Sequence, residues 1–504
     1  MLRDGGSAID AAISASAVLS VIYPHMTGVG GDAFWLIYDA KVKAVRYLDG
    51  GGRATSRGTL AAFARLGLDE VPYRGPLPGT LTVPGAVASW TMAHAGHGRL
   101  PLKRCLESAI GHAREGFPVG ERLARWRELA RPELARDPTA AAIFLKEGPT
   151  LANPNLARTL EAIASDGWHG FYDGDVAREL VRYSDSAGGF FRRDDLLAQI
   201  ARWGEPIKGT YRDVTIYETP PPTQGFAVLK MLNLLEPFEL HKRPFLGADA
   251  VHLMVQAKQL AYHDRDRHLG DPRFADVPIE RLISKTYADE RRALMDLDRA
   301  LPWDRIPSYG SLAGDTVYVA AVDRDGNAAS LIHSLYGGFG AAVVAGRTGV
   351  VLQNRSAYFS LDAKSPNRLE PGKTPLHTLI ASLAFRKDRL WGVLGCMGAD
   401  GQPQIHMQVY SAMIDHGLDI QQALEMPRFL SGRFAIGEPR DTLHLEARFP
   451  PETIAELERR GHLLDCWGDW DELAGHAQGI TLDGETGMLA GGADPRSDGE
   501  AVGY

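Results

Sequence analysis

The stretch that most constrains this chain is residues 314–334, GDTVYVAAVDRDGNAASLIHS. Residues 317–322 are apolar and β-branched, 323–327 carry turn residues, and 328–334 resume a strand-like run, so the segment predicts a β-hairpin. A hydroxyl residue, Thr316, opens its first strand. A threonine hydroxyl is a weak nucleophile until a base takes its proton, and its own α-amine can do so once the preceding peptide bond is cut. Taken alone, the stretch describes just as well a β-branched residue that starts a strand. The rest of the chain decides between the two.

A second hairpin is predicted over 34–38 and 45–48, with a turn at 39–44. Ser7 is placed to cap a helix over 8–22, with Asp10 near its positive end and Pro24 stopping it. Residues 27–32 hold three glycines, but they follow a helix and open a strand. A phosphate loop has the opposite order, so a close-approach turn with freedom for positive φ is expected instead. Helical spacing continues over 102–113 and 122–135, and helices are expected at 226–235 and, amphipathic, at 251–263. His94 and His97 have neither a third ligand nor a general-base carboxylate in reach of the pattern and read as surface histidines at a helix end. Hairpins in both halves with helices between them predict an α/β fold, a four-layer αββα sandwich. No linker or repeat divides it.

At 504 residues, 44% hydrophobic and 23% charged, the chain can bury a large core. A net charge of -8 argues against nucleic acid or an acidic membrane surface as partner, which leaves a small molecule. Cys105, Cys396 and Cys466 form no metal or disulfide spacing, and residues 8–23 are too short and mixed to span a membrane. No cofactor and no metal are expected, and the chain as written reads as cytoplasmic.

Asp315-Thr316 followed by a strand, an Asp-Gly-Asn turn and a second strand resembles the small-subunit start of the γ-glutamyltransferase family. The likeness extends through GGSAIDAA at 5–12, PHMTGVGGD at 24–32, ADPRS at 493–497 and the terminal Gly503-Tyr504. It implies a self-cleaving N-terminal-nucleophile hydrolase. The cut would fall between Asp315 and Thr316, giving a large subunit of residues 1–315 and a small catalytic subunit of 316–504, held as a heterodimer that can pair again. Residues 302–314 are loop-like, as a reachable junction requires. Relatives carry a segment before Gly5, so a start upstream of Met1 would hide a strand and any export signal.

The resemblance assigns Thr316 as nucleophile and Ser334 as the hydroxyl that hydrogen-bonds it. The Gly398 and Ala399 N–H groups become the oxyanion donors, and Arg57 the grip on a substrate carboxylate, with Arg53 its near neighbour. Where the family places an acid for the substrate's α-ammonium this chain has Tyr358, in the segment QNRSAYF at 353–359. Arg355 adds a positive charge there, Tyr336 replaces a small polar residue, and His377 and Thr378 stand for two serines. A carboxylate pocket with no partner for an adjacent amine is expected. That favours hydrolysis of a small acidic amide, as in the family's oxamate amidohydrolase or cephalosporin (glutaryl) acylases. A true γ-glutamyltransferase or glutathione hydrolase, and a non-catalytic binding relative, are the alternatives.

Overall fold

The computed structural model describes residues 1–75, 79–307, 314–434 and 438–504. The chain divides into two compact units. The first comprises Met1–Glu205, Gly270–Ala275 and Asp315–His377, and the second Pro206–Leu269, Asp276–Gly314 and Thr378–Tyr504.

The first unit is built on a five-stranded antiparallel sheet in the order Arg202–Gly204, Ala44–Gly50, Asp32–Asp39, Ala328–Tyr336, Asp315–Val322. Both expected hairpins are in it. The nucleophile hairpin turns where Asp323 Oδ1 accepts the N–H groups of Asp325 and Asn327 and Gly326 adopts φ 81°. Helix Ala8–Ile22 begins at a capping box in which Ser7 and Asp10 exchange side-chain and backbone bonds. Its Ala8, Ile9, Ala12, Ile13 and Ala17 share one core with Trp35, Ile37, Ala329 and Leu331 of the sheet. Phe34 and Leu36, which alternate to the opposite face, are buried too. Both faces of the sheet are therefore covered, which explains why its strands read as unbroken apolar runs.

The glycines at 28–31 serve space rather than φ. A Cβ on Gly30 would stand 2.0 Å from the carbonyl oxygen of Val351, and one on Gly31 2.2 Å from that of Ser334, while neither residue has a positive φ. The glycine loop thus lies against the backbone of the nucleophile hairpin. His94 is not a free surface histidine: its Nε2 bonds the carbonyl of Leu100 at 2.7 Å beyond the helix end.

The second unit holds a six-stranded antiparallel sheet in the order Leu489–Ala493, Ala477–Leu482, Arg389–Cys396, Ser382–Arg386, Val214–Glu218, Ile207–Tyr211. Helices Phe226–Leu235, Ala248–His268 and Gln402–Asp415 share its core. Ala248–His268 is not amphipathic as expected but buried on every face over 250–262. Its Lys258 lies over the rings of Tyr262 (4.7 Å) and Trp303 (5.3 Å), and burial lowers its pKa to about 7.

Candidate active site

The two strands of the nucleophile hairpin fall out of step at Thr316. Asp315 pairs with Tyr336 and Val317 with His333, so Thr316 alone faces Ser334 and Leu335. This is a β-bulge, a device that re-aims side chains where pairing is broken. Asp315 and Thr316 are both buried, at 4% and 3% exposure, and Asp315 is already in the strand. The junction is therefore not the open loop expected from sequence. An attack by a residue on its own preceding carbonyl needs no access from solvent, which removes the reason for expecting one. Of the loop-like 302–314, residues 308–313 lie outside the described residues.

The Ser334 hydroxyl donates to the carbonyl oxygen of Asp315 at 2.5 Å and accepts the N–H of Tyr336 at 2.7 Å. In the uncut chain it thus serves the carbonyl before the nucleophile, where the sequence had it serving the nucleophile itself. A donor on that oxygen withdraws electrons from the carbon that Thr316 would attack. Tyr336 holds φ 82°, a left-handed conformation that strains any side chain with a Cβ.

Two further predicted residues come together beside Tyr336. The Arg355 guanidinium, 1% exposed, lies 4.3 Å from the Tyr336 ring centre and 5.1 Å from that of Tyr358, and the two rings are 4.8 Å apart. Tyr73 closes the group with an edge-on contact to Tyr336 at 5.5 Å. Asn354 fixes this corner by accepting the Gly337 N–H at 2.9 Å and donating to the Tyr73 carbonyl at 2.8 Å. Tyr73 is a site residue that sequence reasoning missed, since it sits in a loop without periodicity.

His377 is also missing its expected charge. Its Nε2 lies 3.0 Å from Oδ2 of Asp32, and both side chains are fully buried. Oδ1 of Asp32 accepts the N–H groups of Gly52 (2.8 Å) and Gly85 (3.1 Å) and the amide of Gln353 (2.8 Å). Burial nevertheless outweighs these donors and the nearby Arg355 charge, and raises the Asp32 pKa to about 7. Burial, helped by Arg355, holds His377 well below its ordinary value. His377 is therefore no second cation. Its Nδ1 is buried without a hydrogen-bond partner among the described residues. The purely cationic pocket expected from sequence is corrected: a carboxylate is built into it, joined to Gln353 and His377 across more than 300 residues.

Arg57 does not join this group through any contact among the described residues. It is exposed and lines a groove of about 700 Å³ with Arg65, Asp185 and Arg192. Arg53 gives its guanidinium to the carbonyls of Ala198 (3.1 Å) and Ile200 (2.7 Å).

In the second unit, strand Arg389–Cys396 runs into the predicted glycine turn. Gly398 has φ 147° and Ala399 φ 44°, and the N–H groups of both buried residues donate to no acceptor among the described residues. Thr378 is buried, and its carbonyl and that of Ala399 both accept the side-chain amide of Gln224 at 2.9 Å. The sequence reading gave Gln224 no role in the site.

Two groups of described residues could offer three metal-ligand atoms, Asp10/His94/Cys105 and Glu438/His444/Asp465. The first caps helix Ala8–Ile22, and in the second His444 already bonds Asp465 (2.9 Å) and the Gly432 carbonyl (3.0 Å). No helix of the described residues is long and apolar enough to cross a membrane.

A model of the gamma-glutamyltranspeptidase family matches residues 1–504. The "Glutathione hydrolase-like YwrD proenzyme" of Bacillus subtilis (strain 168) is 40% identical over 510 residues, covering all of this chain and 95% of that protein. The "Oxamate amidohydrolase proenzyme" of Klebsiella pneumoniae subsp. pneumoniae is 38% identical over 515 residues, with the same coverage. Among solved structures, a cephalosporin acylase from Bacillus halodurans superposes with a TM-score of 0.91 at 34% identity, covering 100% of this chain and 92% of the other. The α/β fold is thus of the N-terminal-nucleophile hydrolase class that these neighbours share.

Proposed function

The chain belongs to the gamma-glutamyltranspeptidase family, whose members are hydrolases and transferases, and from that premise we propose a self-processing amidohydrolase with Thr316 as its nucleophile. The observation that carries the reading is the buried Asp315–Thr316 bond in a bulge, with the Ser334 hydroxyl on its carbonyl. Thr316 Oγ attacks the carbonyl carbon of Asp315, the C–N bond breaks, and an ester and a free α-amine result. Water then hydrolyses the ester, releasing fragments 1–315 and 316–504 that stay together as a heterodimer.

In turnover the new α-amine takes the Thr316 hydroxyl proton as the oxygen adds to the substrate amide. The N–H groups of Gly398 and Ala399 are the oxyanion donors in this reading. The proton passes to the departing amine, and water cleaves the acyl ester to free the acid and restore Thr316. No step calls for a metal or an organic cofactor.

The substrate class is a small amide whose acid bears a carboxylate but no α-ammonium, oxamate-like or glutaryl-like. Arg355, clamped between Tyr336 and Tyr358, supplies the charge for that carboxylate. Asp32 is no ready substitute for the missing acid, because both its oxygens are already engaged. In this reading Arg57, His377 and Thr378 are further substrate-binding residues.

The test is one preparation and three substrates. Wild-type protein should run as two bands on a denaturing gel, Thr316→Ala as one inactive band, and Thr316→Ser as two. Oxamate and glutaryl 4-nitroanilide should be hydrolysed, with the γ-glutamyl anilide on the order of a hundredfold slower than the glutaryl one for want of a partner to its ammonium. A processed Thr316→Ala protein would sink the assignment of the nucleophile. A preference for the γ-glutamyl anilide would make the chain a γ-glutamyl hydrolase or transferase instead.

A further inference from the structure

We infer that Gln224 is a positioning residue for the oxyanion turn, an inference that rests on the reading of Gly398 and Ala399 given above. An amide's oxygen and nitrogen ends are alike in shape, and its orientation must be argued from its partners. Here the argument closes. Arg265, which can only donate, places Nη1 2.8 Å from Gln224 Oε1. The NH₂ end of Gln224 must therefore face the two carbonyls it lies against, those of Thr378 and Ala399, at 2.9 Å each. Both of its N–H groups are spent on backbone oxygens, one of them the carbonyl of Ala399 in the turn itself.

The turn needs such a tie. Ala399 sits at φ 44°, where a residue with a Cβ is strained, and Gly398 at φ 147°, where only glycine is at ease. A Cβ on Gly398 would also stand 2.8 Å from Cδ1 of Ile405. The strain is held from three sides. Gln224 draws in the Ala399 carbonyl, the Tyr262 hydroxyl bonds the carbonyl of Asp400, and Arg265 pairs with the Asp400 carboxylate. Gln224, Arg265, Tyr262 and Asp400 are all buried. An N–H pair points where its peptide planes point, so pulling on the Ala399 carbonyl orients the peptide that follows the donors. Binding of a substrate carboxylate elsewhere in the pocket does not depend on this tie, whereas stabilisation of charge that develops on the reacting oxygen does.

Two near-isosteric variants separate these roles. Gln224→Met fills the same volume without donors; Gln224→Glu keeps the bond to Arg265 but sets a carboxylate oxygen against two carbonyls. Self-cleavage, melting temperature, kcat and KM are measured on whichever of oxamate, glutaryl and γ-glutamyl 4-nitroanilide the wild type turns over fastest. Both variants are expected to fold and cleave themselves and to melt a few degrees below the wild type, since buried carbonyls lose their donors, with kcat lowered on the order of 10²-fold and KM changed less than about threefold. Wild-type kcat in both, or a fall carried by KM, overturns the inference. So does failure of both variants to fold, since Gln224 would then be a packing residue. Gly398→Ala tells the two readings apart: if it folds and keeps wild-type kcat, the oxyanion assignment itself fails. If it loses kcat while the Gln224 variants do not, only the positioning role does.

Discussion

Replacing Ser334 by alanine tests the self-cleavage geometry at its most exacting point. The hydroxyl does two things at once, donating to the Asp315 carbonyl at 2.5 Å and accepting the Tyr336 N–H at 2.7 Å. As Thr316 Oγ adds, the carbonyl oxygen becomes an oxyanion, and the loss of one preorganised donor to such an oxygen costs about 2.7–4 kcal/mol, roughly 10²–10³ in rate. The second loss is one of stability. The N–H of Tyr336, a residue already strained at φ 82°, loses its bond to the Ser334 hydroxyl, at a cost of up to about 1–3 kcal/mol. Freshly purified precursor would be sampled over time and run on a denaturing gel, with circular dichroism and a melting curve confirming the fold. Ser334→Ala should keep its fold, melt a few degrees lower, and process on the order of a hundredfold slower; Ser334→Thr, which retains the hydroxyl, should fall between it and the wild type. A folded Ser334→Ala protein that cleaves at the wild-type rate would refute the reasoning, because the Ser334 donor on the scissile carbonyl would then be dispensable.

Two other outcomes follow from the pocket. Asp32 has a folded pKa of about 7 against an ordinary 3.8, so between those values the native state binds more protons than the unfolded chain and stability falls as pH rises. In an uncut Thr316→Ala background, the stability of the Asp32 protein relative to Asp32→Asn should therefore decline by at most about 4 kcal/mol from pH 4 to pH 7 and stay flat above. A denaturant-midpoint difference that is constant with pH would show that Asp32 titrates normally. Arg355→Lys keeps the charge but not the plane that lies between two tyrosine rings, and should raise KM for a carboxylate-bearing amide on the order of tenfold with kcat little changed. Unaltered KM would remove Arg355 from the substrate's path.

What the sequence made legible is local. The hairpins, the Ser7–Asp10 cap and the glycine turn each announce themselves within a dozen residues, because turn chemistry, capping and strand alternation are short-range signals. The pocket is another matter. Asp32, Gln353 and His377 meet across more than 300 residues of chain, and Gln224 meets Ala399 across 175. No periodicity records such a meeting. Arg355 was found as a charge but not as the filling of an aromatic clamp, and His377 was given a charge that its burial and the Arg355 guanidinium deny it. Ser334 was found, but its bond to the Asp315 carbonyl in the uncut chain was not, since a strand pattern does not reveal that two residues oppose one at a bulge.

Both sheets cross the 315–316 bond. Asp32–Asp39 is hydrogen-bonded to Ala328–Tyr336 in one, and Val214–Glu218 to Ser382–Arg386 in the other. While the chain is whole, those pairings close as intramolecular loops, at an effective concentration in the millimolar range or above. Once it is cut, a molecule that comes apart must find its other half by diffusion, at the low concentrations at which enzymes are present, while each half exposes unpaired strand edges to competing partners. Unfolding then becomes, in practice, a departure without return. If the chain is cut as proposed, the lifetime of the mature enzyme is set by how slowly its sheets open and not by an equilibrium between folded and unfolded forms.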